Sequence, residues 1–164
     1  MFEEHSLDAA IHDRKNFSCG VSALDDYFKQ FAVQQSKKGV ATVRVLIDTK
    51  RPAEILGYYS LSAAQVDVSV LSAALRKKLP RYPVPCFRMG RLACSKNHQG
   101  KGIGRLLIGC AVDRCLEAKK LIGAFALIVD AKDAPAKAFY EHYGFTVCVD
   151  SEMTLYLPLG KSGL

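Results

Sequence analysis

"HQGKGIGRLL", residues 98–107, sets glycines at 100, 102 and 104, places Lys101 and Arg105 among them, and then enters an apolar run. The stretch before it, "FRMGRLACS" (87–95), reads as a strand. After it, Ile103, Leu106, Leu107, Cys110, Ala111, Cys115 and Ala118 share one face of a helix predicted from 102 to about 120. A glycine-rich link between strand and helix has one physical use above others. Without Cβ atoms the chain turns tightly, and several N–H groups can point at a single anion. The helix start adds its unpaired N–H groups and the positive end of its dipole. The segment reads as a pyrophosphate cradle, with a merely tight strand-to-helix turn as the alternative.

The spacing narrows the ligand. A P-loop needs Lys-Ser/Thr after its last glycine to meet phosphate and magnesium, but Ile103 and Gly104 follow Gly102 here. A dinucleotide fold wants its glycines in the first strand–helix unit of a parallel series, and this loop falls in mid-chain. The pattern Gln99-x-x-Gly102-x-Gly104 differs from both.

Outward from the loop, "SALD" (22–25) offers a helix start, with Ser22 as cap and Asp25 three positions on. Leu24, Tyr27, Phe28, Phe31, Ala32 and Gln35 follow at helical spacing, and Gly39 ends the helix. "VATVRVLID" (40–48) and "EILGYYSLSAAQV" (54–66) predict two strands of a meander. "VLSAALRKKL" (70–79) predicts a short helix stopped by Pro80, before the proline-broken "PRYPVPC". "AFALIV" (124–129) has no polar residue and reads as a strand covered on both faces. Asp133 suits a helix cap, Pro135 a first turn and Gly144 a helix end, and "FTVCV" and "MTLYLPL" close the chain as strands. The order predicts one α/β domain.

Bulk composition fits that reading. The 164 residues are 49% apolar and 24% charged, the balance of an ordinary globule. No apolar run reaches a membrane span, and "MFEEHSLD" lacks a signal pattern, so a cytoplasmic protein with no membrane partner is expected. The six cysteines contain no C-x-x-C pair and the four histidines no metal spacing, so core thiols and no metal are expected. The net charge of +7 favours a polyanionic partner, or else a solvated surface.

"RLACSKNHQGKGIGRLL" resembles the coenzyme A loop of the GCN5-related N-acetyltransferases, the GNAT superfamily, and "KDAPAKAFYEHYGF" (132–145) resembles its second signature. The likeness covers about residues 40–160 and implies a single GNAT-like domain over 1–164, a mixed central sheet with splayed strands and flanking helices. "NFSCGVSALDDYF" (16–28) is similar to the N-terminal signature of the acetyltransferase toxins encoded beside ribbon-helix-helix antitoxins, which acetylate aminoacyl-tRNA and stop translation. A helix lead-in with Phe17 and Val21 packed beneath it is the alternative for that motif.

The resemblance implies an acetyl-CoA site. The pantetheine would lie along the backbone of Leu92, Ala93 and Cys94, whose N–H groups serve the developing oxyanion. By the same likeness the pyrophosphate meets the N–H groups of Gln99, Gly100, Lys101, Gly102, Ile103, Gly104 and Arg105, with charge from Lys101 and Arg105. Asp133, where the family often has asparagine, and Phe139 also belong to the cofactor side. Tyr140 occupies the family's tyrosine position, and a phenol, ordinarily of pKa about 10, is protonated at working pH and suits a general acid for the departing thiolate. Direct transfer requires no acyl-carrying nucleophile, which leaves Cys94 without that role.

A tRNA acceptor requires cations for its phosphates. Candidates are Lys29, Lys37, Lys38, Arg76, Lys77, Lys78, Arg81, Arg88 and Lys96, with "LRKKLPR" the densest cluster. An α-amino group titrates at about 7.7–8 against about 10.4 for lysine, so an aminoacyl-tRNA amine is largely neutral and requires no strong base. The resemblance also implies an antitoxin partner and a homodimer. The rivals are an acetyltransferase for a protein or small-molecule amine, and a non-catalytic CoA-binding module.

Overall fold

The computed structural model describes residues 1–160. Among them, seven strands and five α-helices follow in the order β1 (Phe2–Ser6), α1 (Ser22–Gln30), α2 (Ala32–Lys37), β2 (Thr42–Asp48), β3 (Arg51–Val66), α3 (Ala73–Arg76), β4 (Val84–Cys94), α4 (Ile103–Ala118), β5 (Ala126–Asp130), α5 (Ala134–His142), β6 (Thr146–Cys148) and β7 (Ser151–Pro158). The strands form one mixed sheet in the order β1-β2-β3-β4-β5-β7-β6. The residues group into two compact units, Met1–Ser62 with Gly90–Ala111, and Ala63–Met89 with the chain from Val112 on.

In the first unit β1, β2 and β3 run antiparallel, Phe2 opposite Asp48 and Val45 opposite Tyr58. α1 covers this meander with an aromatic layer. Phe28 stacks on Tyr58 at 4.2 Å, and Phe17 meets Phe28 edge-on at 5.1 Å. Each buried ring stabilises the fold by about 1.5–3 kcal/mol. The Tyr58 hydroxyl donates to Leu24 O at 2.6 Å, so no polar atom of that ring is stranded. In the second unit β4 and β5 pair in parallel over Phe87–Met89 and Leu127–Val129, and β7 continues antiparallel. Every residue of β5 before Asp130 is buried, as its lack of polar residues predicts. Leu71, Cys86, Ala126, Ile128, Cys148 and Tyr156 form this unit's core.

The structure corrects several expectations. β1 leaves no strand pattern in the sequence. Phe2 is its one large apolar residue, and the strand is specified by backbone pairing to β2 rather than by alternation. Ser22 does not cap α1: the N-cap is Val21, with no side-chain bond. The predicted helix to Gly39 breaks at Phe31, whose ψ of −26° comes with a φ of −119°, and Phe31 is exposed. The helix expected over 70–79 shrinks to Ala73–Arg76, because Leu71 and Ser72 are extended and the Ser72 hydroxyl caps the start. β4 begins earlier than expected, at Val84. Pro85 lacks an N–H, but its carbonyl still accepts from Phe125 at 2.8 Å. On α4, Ile103, Leu107, Ala111 and Cys115 are buried on the face read in the sequence, while Leu106 is exposed and Ile108 is buried. Asp133 caps α5, accepting from Ala136 N–H at 2.9 Å, as expected.

Candidate cofactor site

In the first unit β4 ends at Leu92, Ala93 and Cys94, and the chain enters a 3-10 turn, Lys96–His98, capped by the Ser95 hydroxyl. Gly100 and Gly102 follow at φ +80° and +77°, a backbone region that side-chain-bearing residues seldom adopt. A Cβ at either would meet nothing within 4 Å, so conformation, and not space, demands glycine there. The first α4 amide to find a carbonyl is Leu106, onto Gly102 O at 3.1 Å. Among the described residues, the amides from Gly100 to Arg105 donate to no protein acceptor within normal hydrogen-bond geometry. Clustered amides left so are open to water or to an anion, and they converge as an anion site requires. Lys101 and Arg105 are exposed beside them.

Long-range hydrogen bonds hold the approach to this loop. Ser95 N–H donates to Leu56 O at 2.8 Å, and Lys96 N–H to Ser18 O at 2.8 Å. His98 Nε2 donates to Glu54 Oε1 at 2.7 Å, and Gln99 Nε2 to Cys19 O at 3.3 Å. The Gln99 side chain is therefore a tether to the N-terminal segment, leaving its backbone to the loop. The hydrogen bond from His98 holds the Glu54 carboxyl below the usual carboxylate range. Ser18 and Cys19 are fixed in turn by Asp25, whose carboxylate accepts from Ser18 Oγ at 2.8 Å and Cys19 N–H at 2.9 Å. Burial opposes ionisation of Asp25, but the backbone N–H and side chain of Cys19 and the Ser18 hydroxyl outweigh it and hold its carboxyl below the usual range.

Beneath the loop, Gly57 on β3 faces α4 and β4 closely. A Cβ there would lie 2.7 Å from Leu107 Cδ1, 2.8 Å from Ala93 O and 3.2 Å from Ile103 Cγ2. Bare backbone at 57 lets the first turns of α4 reach the sheet. A cleft of about 450 Å³ is lined by Asp13, Asn16, Arg51, Glu54, Ser95 and Asn97 among others, and by no residue of Gln99–Arg105.

In the second unit Tyr140 is buried on α5, with Phe139 at 5.6 Å and Phe145 at 5.4 Å between ring centroids, and Tyr143 packs on Phe139 at 5.0 Å. Of the basic candidates in this unit, Arg76, Lys77, Lys78 and Arg81 are exposed. Arg88 is half-buried and ion-paired with Asp130, which also accepts from Thr154, so it is the candidate least able to serve a phosphate. In the first unit Lys29, Lys37, Lys38 and Lys96 are exposed. Sequence reasoning missed Glu54, Gly57 and Arg91, which lies 3.5 Å above the Tyr27 ring. Only Gly57 left a signal, as a lone glycine inside a strand pattern.

Residues 30–147 match the acetyltransferase (GNAT) domain family. A tRNA-acetylating toxin of Mycobacterium tuberculosis (strain ATCC 25618 / H37Rv) is 32% identical over 145 residues, 88% of this chain and 85% of that protein. The structure of AtaT complexed with acetyl-methionyl-tRNAfMet superposes with a TM-score of 0.90 at 28% identity, over 96% of this chain and 95% of that one. A mutant AtaT toxin bound to the C-terminus of the antitoxin AtaR and acetyl-CoA gives a TM-score of 0.82 at 26% identity, over 96% and 93%. No helix among the described residues is long and apolar enough to cross a membrane.

Proposed function

The chain belongs to the GNAT acetyltransferase family, and on that premise we propose that it is the toxin of a toxin–antitoxin pair, moving acetyl from acetyl-CoA to the free α-amino group of aminoacyl-tRNA and so blocking translation. The observation that carries the donor half of this reading is the run of unengaged amides from Gly100 to Arg105 at the start of α4. Those groups fit a diphosphate, because two glycines in the positive-φ region leave their N–H groups bare of side chains. The acceptor half rests on the likeness to a tRNA-acetylating toxin and to AtaT with acetyl-methionyl-tRNA.

Acetyl-CoA supplies an acetyl group activated as a thioester. The Gly100–Arg105 amides hold its diphosphate, with Lys101 and Arg105 adding charge, and the backbone of Leu92, Ala93 and Cys94 orients the pantetheine arm. Asp133 and Phe139 support the cofactor side from α5. Tyr140 Oη carries the proton that the leaving sulfur requires. No strong base is needed on the chain, since an α-amine of pKa about 8 or below is substantially neutral near pH 7. Arg76, Lys77, Lys78 and Arg81, with Lys29, Lys37, Lys38 and Lys96, supply cations for tRNA phosphates. The +7 charge suits that polyanion and suits a polyamine poorly. The 164 residues act as one acetyltransferase domain, in the cytoplasm, as a homodimer silenced by a ribbon-helix-helix antitoxin.

The decisive experiment incubates the protein with labelled acetyl-CoA and compares charged with deacylated tRNA. Label should enter only the charged tRNA and leave it on mild alkaline release of the amino acid. Label on deacylated tRNA, or on protein alone, overturns the substrate.

A further inference from the structure

The N-terminal segment "NFSCGVSALDDYF" (16–28) has no catalytic task in that reaction, yet two of its carbonyls anchor the turn that leads into the glycine loop. We propose that Asp25 is a positioning residue which, through the Ser18–Cys19 peptide group, sets the turn that presents the Gly100–Arg105 amides to the diphosphate of the acetyl donor. This rests on the proposed donor site.

The coupling runs through one peptide plane. Ser18 C=O and Cys19 N–H belong to the same amide group, and in a trans peptide they point in opposite directions. The Asp25 carboxylate accepts from the N–H side at 2.9 Å, and the C=O side accepts from Lys96 N–H at 2.8 Å. A charged acceptor on an amide N–H polarises the group and strengthens its carbonyl as an acceptor. The next carbonyl, Cys19 O, takes Gln99 Nε2 at 3.3 Å, so one two-residue segment grips the Lys96–Gln99 turn at both ends. The Ser18 hydroxyl, donating to Asp25 at 2.8 Å, fixes the carboxylate on its second oxygen. Between the two grips, Glu54 holds His98. Gly100 follows this turn directly, so a shift of the turn moves the bare amides with it.

A plain helix lead-in would also use Asp25, to steady the start of α1. The two roles separate by ligand. Asp25→Ala removes both acceptor oxygens; Asp25→Asn keeps one for Cys19 N–H and gives up the charge. CoA binding is measured by calorimetry, and acetyl transfer is measured with acetyl-CoA and with acetyl-pantetheine, which carries the same thioester and no diphosphate. CoA affinity should fall in the order wild type, D25N, D25A, by about tenfold or more for D25A, the scale of one hydrogen bond to a charged group. The defect with acetyl-CoA should sit in KM with kcat nearly kept, while kcat/KM with acetyl-pantetheine stays at the wild-type value. Gln99→Ala, at the other end of the grip, should show the same pattern. D25N carries the test if D25A does not fold. An equal fall with both donors, or unchanged CoA affinity in D25N, Q99A and D25A alike, overturns the positioning role. A wild-type protein that does not prefer acetyl-CoA over acetyl-pantetheine instead removes the donor site itself.

Discussion

Substituting Gly57 by alanine adds one methyl group at a tightly crowded glycine. The new Cβ would stand 2.7 Å from Leu107 Cδ1, 2.8 Å from Ala93 O and 3.2 Å from Ile103 Cγ2. Leu107 can yield by rotating, although it is fully buried and has little room. Ala93 O cannot, because it belongs to the β4 backbone. Overpacking of this kind costs about 1–3 kcal/mol, and a clash with fixed backbone belongs at the upper end, about 3 kcal/mol. Alanine also restricts the unfolded chain relative to glycine, which offsets about 0.4–1 kcal/mol. The net destabilisation is then about 2 kcal/mol. For a chain of this size that lowers Tm by about 4–8 °C. Relief of the clash pushes Ala93 and the start of α4 outward, so CoA affinity should fall along with Tm. Thermal unfolding followed by circular dichroism, with CoA titration by calorimetry, measures both. A G57A protein melting within about 1 °C of wild type would show that β3, β4 and α4 do not approach each other this closely.

Tyr140→Phe keeps the ring packing with Phe139 and Phe145 and deletes the hydroxyl, so kcat should drop by about 10²–10⁴ with KM for acetyl-CoA nearly unchanged. Steady-state kinetics with near-normal turnover would remove the phenol from the mechanism. Replacing Arg76, Lys77, Lys78 and Arg81 together by alanine should weaken aminoacyl-tRNA binding and flatten its log–log salt dependence by about one for each phosphate left without its cation. An unchanged slope would place the tRNA elsewhere. The Asp25 carboxyl titrates below its unfolded value of about 3.9, so its contribution to folding is complete above that pH and fades as pH falls through the lower folded value. Melting curves should therefore separate wild type from D25N at neutral pH and bring them together in acid; a gap constant from neutral pH into strong acid refutes the assignment.

Much of the site was legible one residue at a time. The glycine pattern announced a bare backbone, and Gly100 and Gly102 do adopt positive φ with their neighbouring amides unengaged. Asp133 and Gly144 bounded α5 from local rules alone, because capping acts within a single turn. The N-terminal motif was visible as a pattern, but its work was not. Asp25 looked like a partner for Ser22 in a capping box, and its carboxylate instead turns back to Ser18 and Cys19. Arg88 looked like any other surface cation until Asp130 took it up. His98 was one of four scattered histidines, and its partner Glu54 stands 44 residues away.

The sequence by itself determined where the chain must turn, where helices begin and which stretches must be covered, since φ preference, dipole and periodicity are decided among near neighbours. Tertiary structure decided the rest: that a polar N-terminal stretch becomes the edge strand β1, that the apolar face of α4 includes Ile108 in place of Leu106, and that Gln99 spends its side chain on a carbonyl 80 residues away. These depend on which backbone groups find partners once distant segments meet, and a buried amide or carboxylate takes whichever partner the packing delivers.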